Sequence, residues 1–440
     1  MIIMKFGGTS VGNDKRIRNT CNIIKSRIKR RPVVVVSAVA KITDSLIKLA
    51  NESVKGKGND VFEYIRKTHY DIIEKLNLDE YLLEDDFMEL LDLINKTKSN
   101  KSVDVESLDY FQSFGERFSS KIVAEQLNKI GVKSKAFNSW ELGFLTDDEF
   151  GNAEPIKETY KNLRNSVKRL NFVPVITGFI GKTKSGKTTT LGRGGSDYTA
   201  AIIGAAINTE EIQIWSDVDG IMSTDPRAVK NARAVEKVSF AEASELAYFG
   251  ARVLHPKTIL PAMGRNIPVR VLNSFNPGNK GTLIVNKSNR SRQTVKAIAY
   301  KNNTTLISVE STRMLGAYGF LAKIFEIFGK YRKSVDVIST SEVSVSLTVD
   351  NGKDVGNILE ELKQISDVGV LKNKSIICIV GEGLKETTGI ISKTFGILEK
   401  NKINIEMISQ GASKINITFI VDGKDANKSV RLLHKGFFGD

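Results

Sequence analysis

Along the first two-thirds of the chain, short apolar runs alternate with longer stretches of helical period. Residues 2–6, 33–37, 173–177, 212–216 and 269–272 are rich in Val and Ile without polar alternation, which predicts strands buried on both faces. Between them, residues 14–29, 45–54, 60–76, 106–130, 156–170, 196–207, 240–249 and 256–264 carry the period of helices. This alternation predicts the α/β class, with a mostly parallel sheet sandwiched by helices. The charged helical stretch 56–107 reads as an insertion bulging from the sheet rather than a core element.

The pattern changes after residue 285. Residues 286–294 are polar and read as a linker. Beyond them, Gly319, Lys323, Phe325, Ile327, Ile338, Ser339 and Thr348 recur about 70 residues later as Gly389, Lys393, Phe395, Ile397, Ile408, Ser409 and Thr418. Each copy reads helix, strand, strand, helix, with another strand in front, so two small α+β (ferredoxin-like) modules are expected. The organisation expected from sequence is a domain over 1–285 containing the insertion, then modules at 295–373 and 374–440.

Composition narrows the class. A chain of 440 residues is too long for one core. The net charge of +15 raises the question of nucleic acid, but the basic residues are interspersed with acids and show no aromatic interleaving, so a lysine-rich solvated surface is expected, with no nucleic-acid partner. Cys21 and Cys378 form no CxxC motif and the three histidines are scattered, which suits a reducing compartment and offers no metal framework. No signal-peptide layout is present, and no apolar run reaches the roughly 18 residues of a membrane span. A cytoplasmic protein without a membrane partner is expected.

Two glycine-rich junctions carry the candidate chemistry. Lys5-Phe6-Gly7-Gly8-Thr9-Ser10 follows an apolar run, and Gly192-Arg193-Gly194-Gly195-Ser196-Asp197 precedes an apolar helix. At such junctions backbone N–H groups can approach an anion. A lysine at a strand's carboxyl end can neutralise a phosphoryl group in transfer; an ordinary solvated lysine is the bland alternative. Arg193 offers a fork for a carboxylate or phosphate, and Ser196 and Asp197 are candidate helix caps. Glu116 sits in a helical stretch where it can hold an ammonium or pair with Arg117 or Lys121. Ser216-Asp217 follows another buried strand, and Arg227 and Arg252 are candidate phosphate contacts or plain surface residues.

Residues 181–188, Gly-Lys-Thr-Lys-Ser-Gly-Lys-Thr, satisfy the P-loop pattern GxxxxGK[ST]. A P-loop must run directly into a helix, whereas here Thr189, Thr190 and three nearby glycines follow. A lysine-rich turn at 182–187 with a return strand at 188–191 is the expected structure.

Together KFGGTSV, SFGERFSS, TTTLGRGGSDYTAA, WSDVDGIMSTDPR, FAEASELAYFGARVLHP and SEVSVSLTVD resemble the aspartokinase family from end to end. The resemblance implies an amino-acid kinase fold followed by two ACT modules. It implies phosphoryl transfer from Mg-ATP to the β-carboxylate of L-aspartate, giving 4-phospho-L-aspartate, the first step toward lysine, threonine and methionine. By resemblance, Lys5 stabilises the phosphoryl group, Asp197 organises Lys5, and Gly7, Gly8 and Thr9 cradle the phosphate. Arg193 takes the α-carboxylate and Glu116 the α-amino group. Ser37, Thr43, Gly194, Gly195 and Ser196 complete the aspartate site, while Ser216, Asp217, Met222, Arg227 and Arg252 contact nucleotide. Arg252 stands where many relatives have lysine, and Met222 where some have tyrosine. The acceptor is already an anion at neutral pH, so no strong general base is required. Mg²⁺ would be carried by the nucleotide phosphates, with no protein metal site.

The ACT modules imply a homo-oligomer and an amino-acid effector. Met314, Gly319, Phe320, Val335, Asp336, Thr340, Ser341 and Glu342 are similar to the pocket of lysine-sensitive members. No dinucleotide-binding unit follows the second module, so a fused homoserine dehydrogenase is not expected. Three alternatives stay open on sequence: a kinase for another acidic amino acid, a nucleotide switch built on Lys187, and a non-catalytic sensor.

Overall fold

The computed structural model of the chain describes residues 1–250, 256–287, 294–311, 318–350, 355–410 and 415–439. They fall into two compact units: Met1–Ile221, Glu236–Phe240 and Val253–Lys287 form one, and Met222–Val235, Ala241–Arg252 and Ser288–Asp440 the other. The division departs from a boundary at 285, because two segments expected in the first domain pack with the C-terminal unit. Most of the 286–294 linker lies outside the described residues.

The first unit is built on an eight-stranded sheet. Its spatial order is Ser134–Phe137, Val173–Thr177, Pro32–Val36, Ile2–Phe6, Glu211–Ser216, Val269–Asn273, Thr282–Val285 and Lys237–Ser239. All neighbours run parallel except Val269–Asn273 against Thr282–Val285. Ile2–Phe6, Pro32–Val36 and Val173–Thr177 are buried at every position, as strands covered on both faces must be. Burying each such Val or Ile contributes about 1.5–3 kcal/mol. The chain leaves Ile2–Phe6 on one side and returns on the other with Glu211–Ser216, so the strand order reverses at the first strand. In open α/β sheets this switch point is where a crevice forms beyond the carboxyl ends.

The segment 56–107 is less peripheral than expected. Its helices Asn59–Leu76 and Glu84–Asn100 place Phe62, Ile65, Phe87 and Leu90 in the same apolar cluster as Val34, Phe114 and Phe118. The surface charge of these helices hid a buried stripe. His69 also lies in this core, where its Nδ1 pairs with the Ile65 carbonyl at 2.7 Å and burial pushes the ring down to about 4.

Residues 181–188 form the expected hairpin. Ile180–Thr183 pairs antiparallel with Thr188–Thr190, in a small sheet completed by Leu145–Thr146. Lys187 reaches Glu106 at 2.6 Å in an exposed ion pair.

In the second unit the repeat forms one six-stranded sheet, ordered Val335–Thr340, Ser344–Asp350, Ala297–Glu310, Asp367–Val380, Asn416–Asp422 and Met407–Ser409. Gly319 and Gly389 both cap the helix of their copy with left-handed backbone, at φ 80° and 84°. The copies are interleaved rather than sequential. Ile298 packs with Ile377, Ile417 and Leu433, while Ile307, nine residues along the same strand, packs with Ile324, Leu347 and Ile358. A register shift between Lys301 and Thr304 separates the halves. The boundary expected at 373/374 therefore falls inside the strand Asp367–Val380.

Candidate active site

Lys5 occupies the next-to-last position of Ile2–Phe6, flanked by Pro32–Val36 and Glu211–Ser216. Its ammonium, almost buried, lies 2.6 Å from Asp197 Oδ1. Asp197 is in the first turn of the helix Gly195–Ile207, which starts beyond the sheet's carboxyl edge. Gly194, at φ 74°, is the N-cap, and no side chain caps this helix. Ser196 and Asp197 are thus inside the first turn rather than capping it. A left-handed φ is tolerated by glycine without Cβ strain, so the glycine run starts the helix and leaves both side chains free for the cavity.

A cavity of about 560 Å³ opens here, lined by Lys5, Gly8, Ser37, Thr43, Glu116, Arg193, Gly194, Gly195, Ser196 and Asp197 among others. Gly8 backs onto the loop after the second strand, where a β-carbon would meet the Ala38 carbonyl oxygen at 2.7 Å. That close approach requires glycine. The cavity thus gathers the predicted catalytic pair and every residue of the predicted aspartate site.

Glu116 enters from the helix Val105–Lys129. Its Oε1 accepts from the Ala38 N–H at 3.0 Å, and its Oε2 is buried with no hydrogen-bond partner. Burial pushes this carboxyl up to about 8, against smaller opposing contributions from the Ala38 N–H and from Lys5. The bland alternative, a salt bridge to Arg117 or Lys121, is excluded by geometry. Arg117 pairs with Asp86 at 2.7 Å and with Glu89, and Lys121 pairs with Asp86 at 2.5 Å. Those cations serve the helix Glu84–Asn100, and Glu116 is left facing the cavity. An unpartnered buried carboxylate oxygen in a cavity suits an incoming ammonium group. Exposed Arg193, on the same cavity, suits a carboxylate.

The predicted nucleotide residues are less concentrated. Gly7 N–H donates to the Trp215 carbonyl at 3.0 Å, which ties the glycine turn to the strand ending in Ser216. Gly7, Thr9, Ser216 and Asp217 belong to the first unit outside the cavity lining. Met222 and Arg227 belong to the second unit, where Met222 bridges Ala234 and Arg227 pairs with Asp225 at 2.6 Å. Arg252 lies outside the described residues. Among the described residues there is no cluster of three His, Cys, Asp or Glu side chains able to hold a metal, and no helix is long and apolar enough to cross a membrane.

Sequence reasoning missed several lining residues, including Gln112, Gly151, Phe179 and Thr190. It also missed Asp109 behind them. The one available signal was spacing: Asp109 and Gln112 precede Glu116 by seven and four residues, on the same helical face.

Of the predicted effector residues, Phe320 and Val335 pack against one apolar cluster. Asp336 receives the Lys301 ammonium at 2.9 Å and the Tyr248 hydroxyl at 2.8 Å. Thr340 ends its strand, and Ser341 and Glu342 form the turn that follows, closed by Ser341 N–H to the Ser344 carbonyl at 2.8 Å. Met314 lies outside the described residues.

Residues 1–273 match the model of the amino acid kinase family, and residues 377–437 match that of the ACT domain. Aspartokinase 2 (chloroplastic) of Arabidopsis thaliana is 41% identical over 99% of this chain and 84% of its own length. Lysine-sensitive aspartokinase 3 of Escherichia coli is 38% identical over 100% of this chain and 99% of its own length. The structure of E. coli aspartokinase III in complex with aspartate and ADP superposes with a TM-score of 0.83 at 35% identity, covering 100% of both chains. The complex of that enzyme with lysine and aspartate gives 0.83 at 36%, covering 100% of this chain and 99% of that one. With its fold superposing on these relatives and its sequence aligned to them over 99% or more of its length, the chain belongs to the aspartokinases, the aspartate kinases of the amino acid kinase family.

Proposed function

We propose that the cavity beyond Ile2–Phe6 aligns the terminal phosphate of ATP with the β-carboxylate of L-aspartate, and that the site residues carry the roles the resemblance implies for them. The observation that supports this most is the convergence of Lys5, Asp197, Glu116 and Arg193 on one cavity at the sheet's carboxyl edge. Arg193 holds the α-carboxylate and Glu116 the α-ammonium, which leaves the β-carboxylate directed toward Lys5. A β-carboxylate oxygen attacks the γ-phosphorus, the bond to the β–γ bridging oxygen breaks, and ADP leaves with the electron pair. No proton moves, in keeping with the lack of a histidine among the described lining residues. The chain's own contribution is alignment and charge neutralisation by Lys5 and the first turn of Gly195–Ile207. Gly7, Gly8 and Thr9 would cradle the transferring phosphate. Ser216, Asp217, Met222, Arg227 and Arg252 remain the candidates for the rest of the nucleotide.

The donor set fits a divalent ion carried by the nucleotide rather than by a dedicated protein cage: Asp197 is already paired with Lys5, and among the described residues no three His, Cys, Asp or Glu side chains cluster to hold a metal. Mg²⁺ would supply charge neutralisation on the β- and γ-phosphates. An ADP-release assay with aspartate, glutamate and acetylglutamate tests the acceptor; turnover confined to either alternative would overturn the aspartate reading.

L-Lysine is the proposed effector, taken by Asp336 and its neighbours in the first ACT module. Asp336 already holds one alkylammonium, that of Lys301, so its environment suits such a group. Effector binding would favour a state that binds substrates poorly. A homo-oligomer formed through the ACT modules, in the cytoplasm, completes the proposal; sedimentation equilibrium reads the oligomer directly.

A further inference from the structure

The mechanism makes no use of Asp109, yet its carboxylate is one of the most heavily engaged groups near the cavity. It is buried, on the helix Val105–Lys129, seven residues before Glu116. Asp109 Oδ2 accepts from the Gly151 N–H at 2.8 Å and from the Thr190 N–H at 2.8 Å. Asp109 Oδ1 accepts from the Thr190 hydroxyl at 2.7 Å. Three donors from two separate segments therefore end on one side chain. Burial raises this carboxyl, and the three donors oppose the rise.

The two segments are also joined to each other and to the turn that carries Arg193. Ala153 N–H donates to the Thr190 carbonyl at 2.9 Å. Gly192 backs so closely onto the 151–152 loop that a β-carbon there would lie 3.1 Å from the Gly151 carbonyl oxygen. Thr190 is two residues before Gly192, and both line the cavity, as does Gly151.

The structure assigns Asp109 as a positioning residue that fixes the Arg193 turn relative to Glu116, and so sets the length of acceptor the cavity accepts. One rigid helix carries Glu116 directly and holds the wall beneath Arg193 through Asp109. The separation of the ammonium-binding and carboxylate-binding groups is then referred to a single element, which is what precise placement of a short dicarboxylate requires. The inference rests on the assignment of Glu116 and Arg193 to the acceptor.

The test uses the full chain and two variants. Asp109→Asn keeps the size but removes the charge, so the two backbone N–H groups lose their charged acceptor and the Thr190 hydroxyl keeps its contact only by turning to accept from the amide nitrogen; the clamp is weakened. Thr190→Val removes one donor at nearly constant shape. Asp109→Asn is expected to raise KM for L-aspartate about tenfold, to keep KM for ATP within about twofold, and to lower the preference for aspartate over glutamate in kcat/KM. Thr190→Val is expected to raise KM for aspartate about threefold with kcat nearly unchanged. Hydrogen exchange at the Gly151 and Thr190 amides, read without substrate, should quicken at least about tenfold in Asp109→Asn. An unchanged KM for aspartate in the folded variants, or a loss confined to kcat, overturns the inference. Should Asp109→Asn not fold, Thr190→Val decides alone. Failure of the unaltered enzyme to use aspartate overturns the acceptor assignment instead, and unchanged amide exchange would then remove the clamp as well.

Discussion

Lys5 Nζ and Asp197 Oδ1 stand 2.6 Å apart, one from the first strand and one from a helix that begins some 190 residues later. The pair holds the lysine at the mouth of the crevice instead of letting it swing into solvent. Removing the lysine leaves a nearly buried carboxylate without its cation and takes away the charge meant for the phosphoryl group. Lys5→Ala should lower kcat about 10³-fold while KM for aspartate shifts by no more than about threefold. Steady-state kinetics on a variant with an unaltered circular-dichroism melt checks this. A fully active Lys5→Ala enzyme would remove the catalytic assignment.

Glu116 makes aspartate binding pH-dependent. With the carboxyl pushed up to about 8, it is neutral in the empty site at pH 7, and only its ionised form attracts the substrate ammonium. KM for aspartate should therefore fall toward about tenfold per unit as pH rises toward 8, then level off. Glu116→Gln should show a raised KM with no such slope. Stability follows the opposite sign. Between the ordinary value of 4.5 and about 8 the unfolded chain has released this proton while the folded chain retains it. The contribution of Glu116 is thus full below the ordinary value and lost as pH rises through the upper one. Urea unfolding of both proteins at several pH values reads the difference.

Gly8 tests the packing of the phosphate turn. A methyl group there would press on the Ala38 carbonyl oxygen at 2.7 Å and the Ala40 nitrogen at 3.3 Å, both backbone. Gly8→Ala should cost about 1–3 kcal/mol of stability through overpacking. It should also raise KM for ATP, because the turn must move. Denaturant midpoints and initial rates check the two effects separately.

Lys187 separates the kinase site from a P-loop. It stands in a hairpin and faces Glu106, and the strand Thr188–Thr190 rather than a helix follows it directly. Lys187→Ala should leave KM for ATP within about twofold, since an exposed ion pair contributes little. Abolished nucleotide binding would instead revive the nucleotide-switch alternative.

Asp336 carries the regulatory prediction. Its carboxylate is the acceptor for Lys301 and Tyr248, and the proposed contact for effector lysine. Asp336→Asn should raise the L-lysine concentration for half-inhibition about tenfold and leave activity without lysine within about twofold. Full activity of the unaltered enzyme in saturating millimolar L-lysine would sink the effector assignment.

Local pattern was enough for much of this molecule. The runs at Ile2–Phe6 and Val173–Thr177 announce buried parallel strands, and the glycines after Lys5 and before Ser196 mark where the backbone can meet an anion. The GKT motif yielded to the residues after it, because a helix cannot start through Thr189, Thr190 and a glycine turn. The recurrence of Gly319 as Gly389 exposed a duplicated module. Each of these depends on neighbours in sequence, so sequence alone determined the strand–helix alternation, the repeat and the aspartokinase motifs.

Tertiary packing decided the rest. Glu116 and Arg117 are adjacent in the chain, yet one lines the cavity and the other binds Asp86; their environments come from elements brought in from elsewhere. The same holds for Asp109, whose donors come from two other segments, and for Ala297–Glu310, which serves both C-terminal cores. Burial raises the cost of a charge only once distant segments exclude water from it, and hydrogen bonds between remote residues leave no periodic trace in the chain. Which carboxylate is desolvated, which cation it meets and where one module ends are properties of the assembled fold.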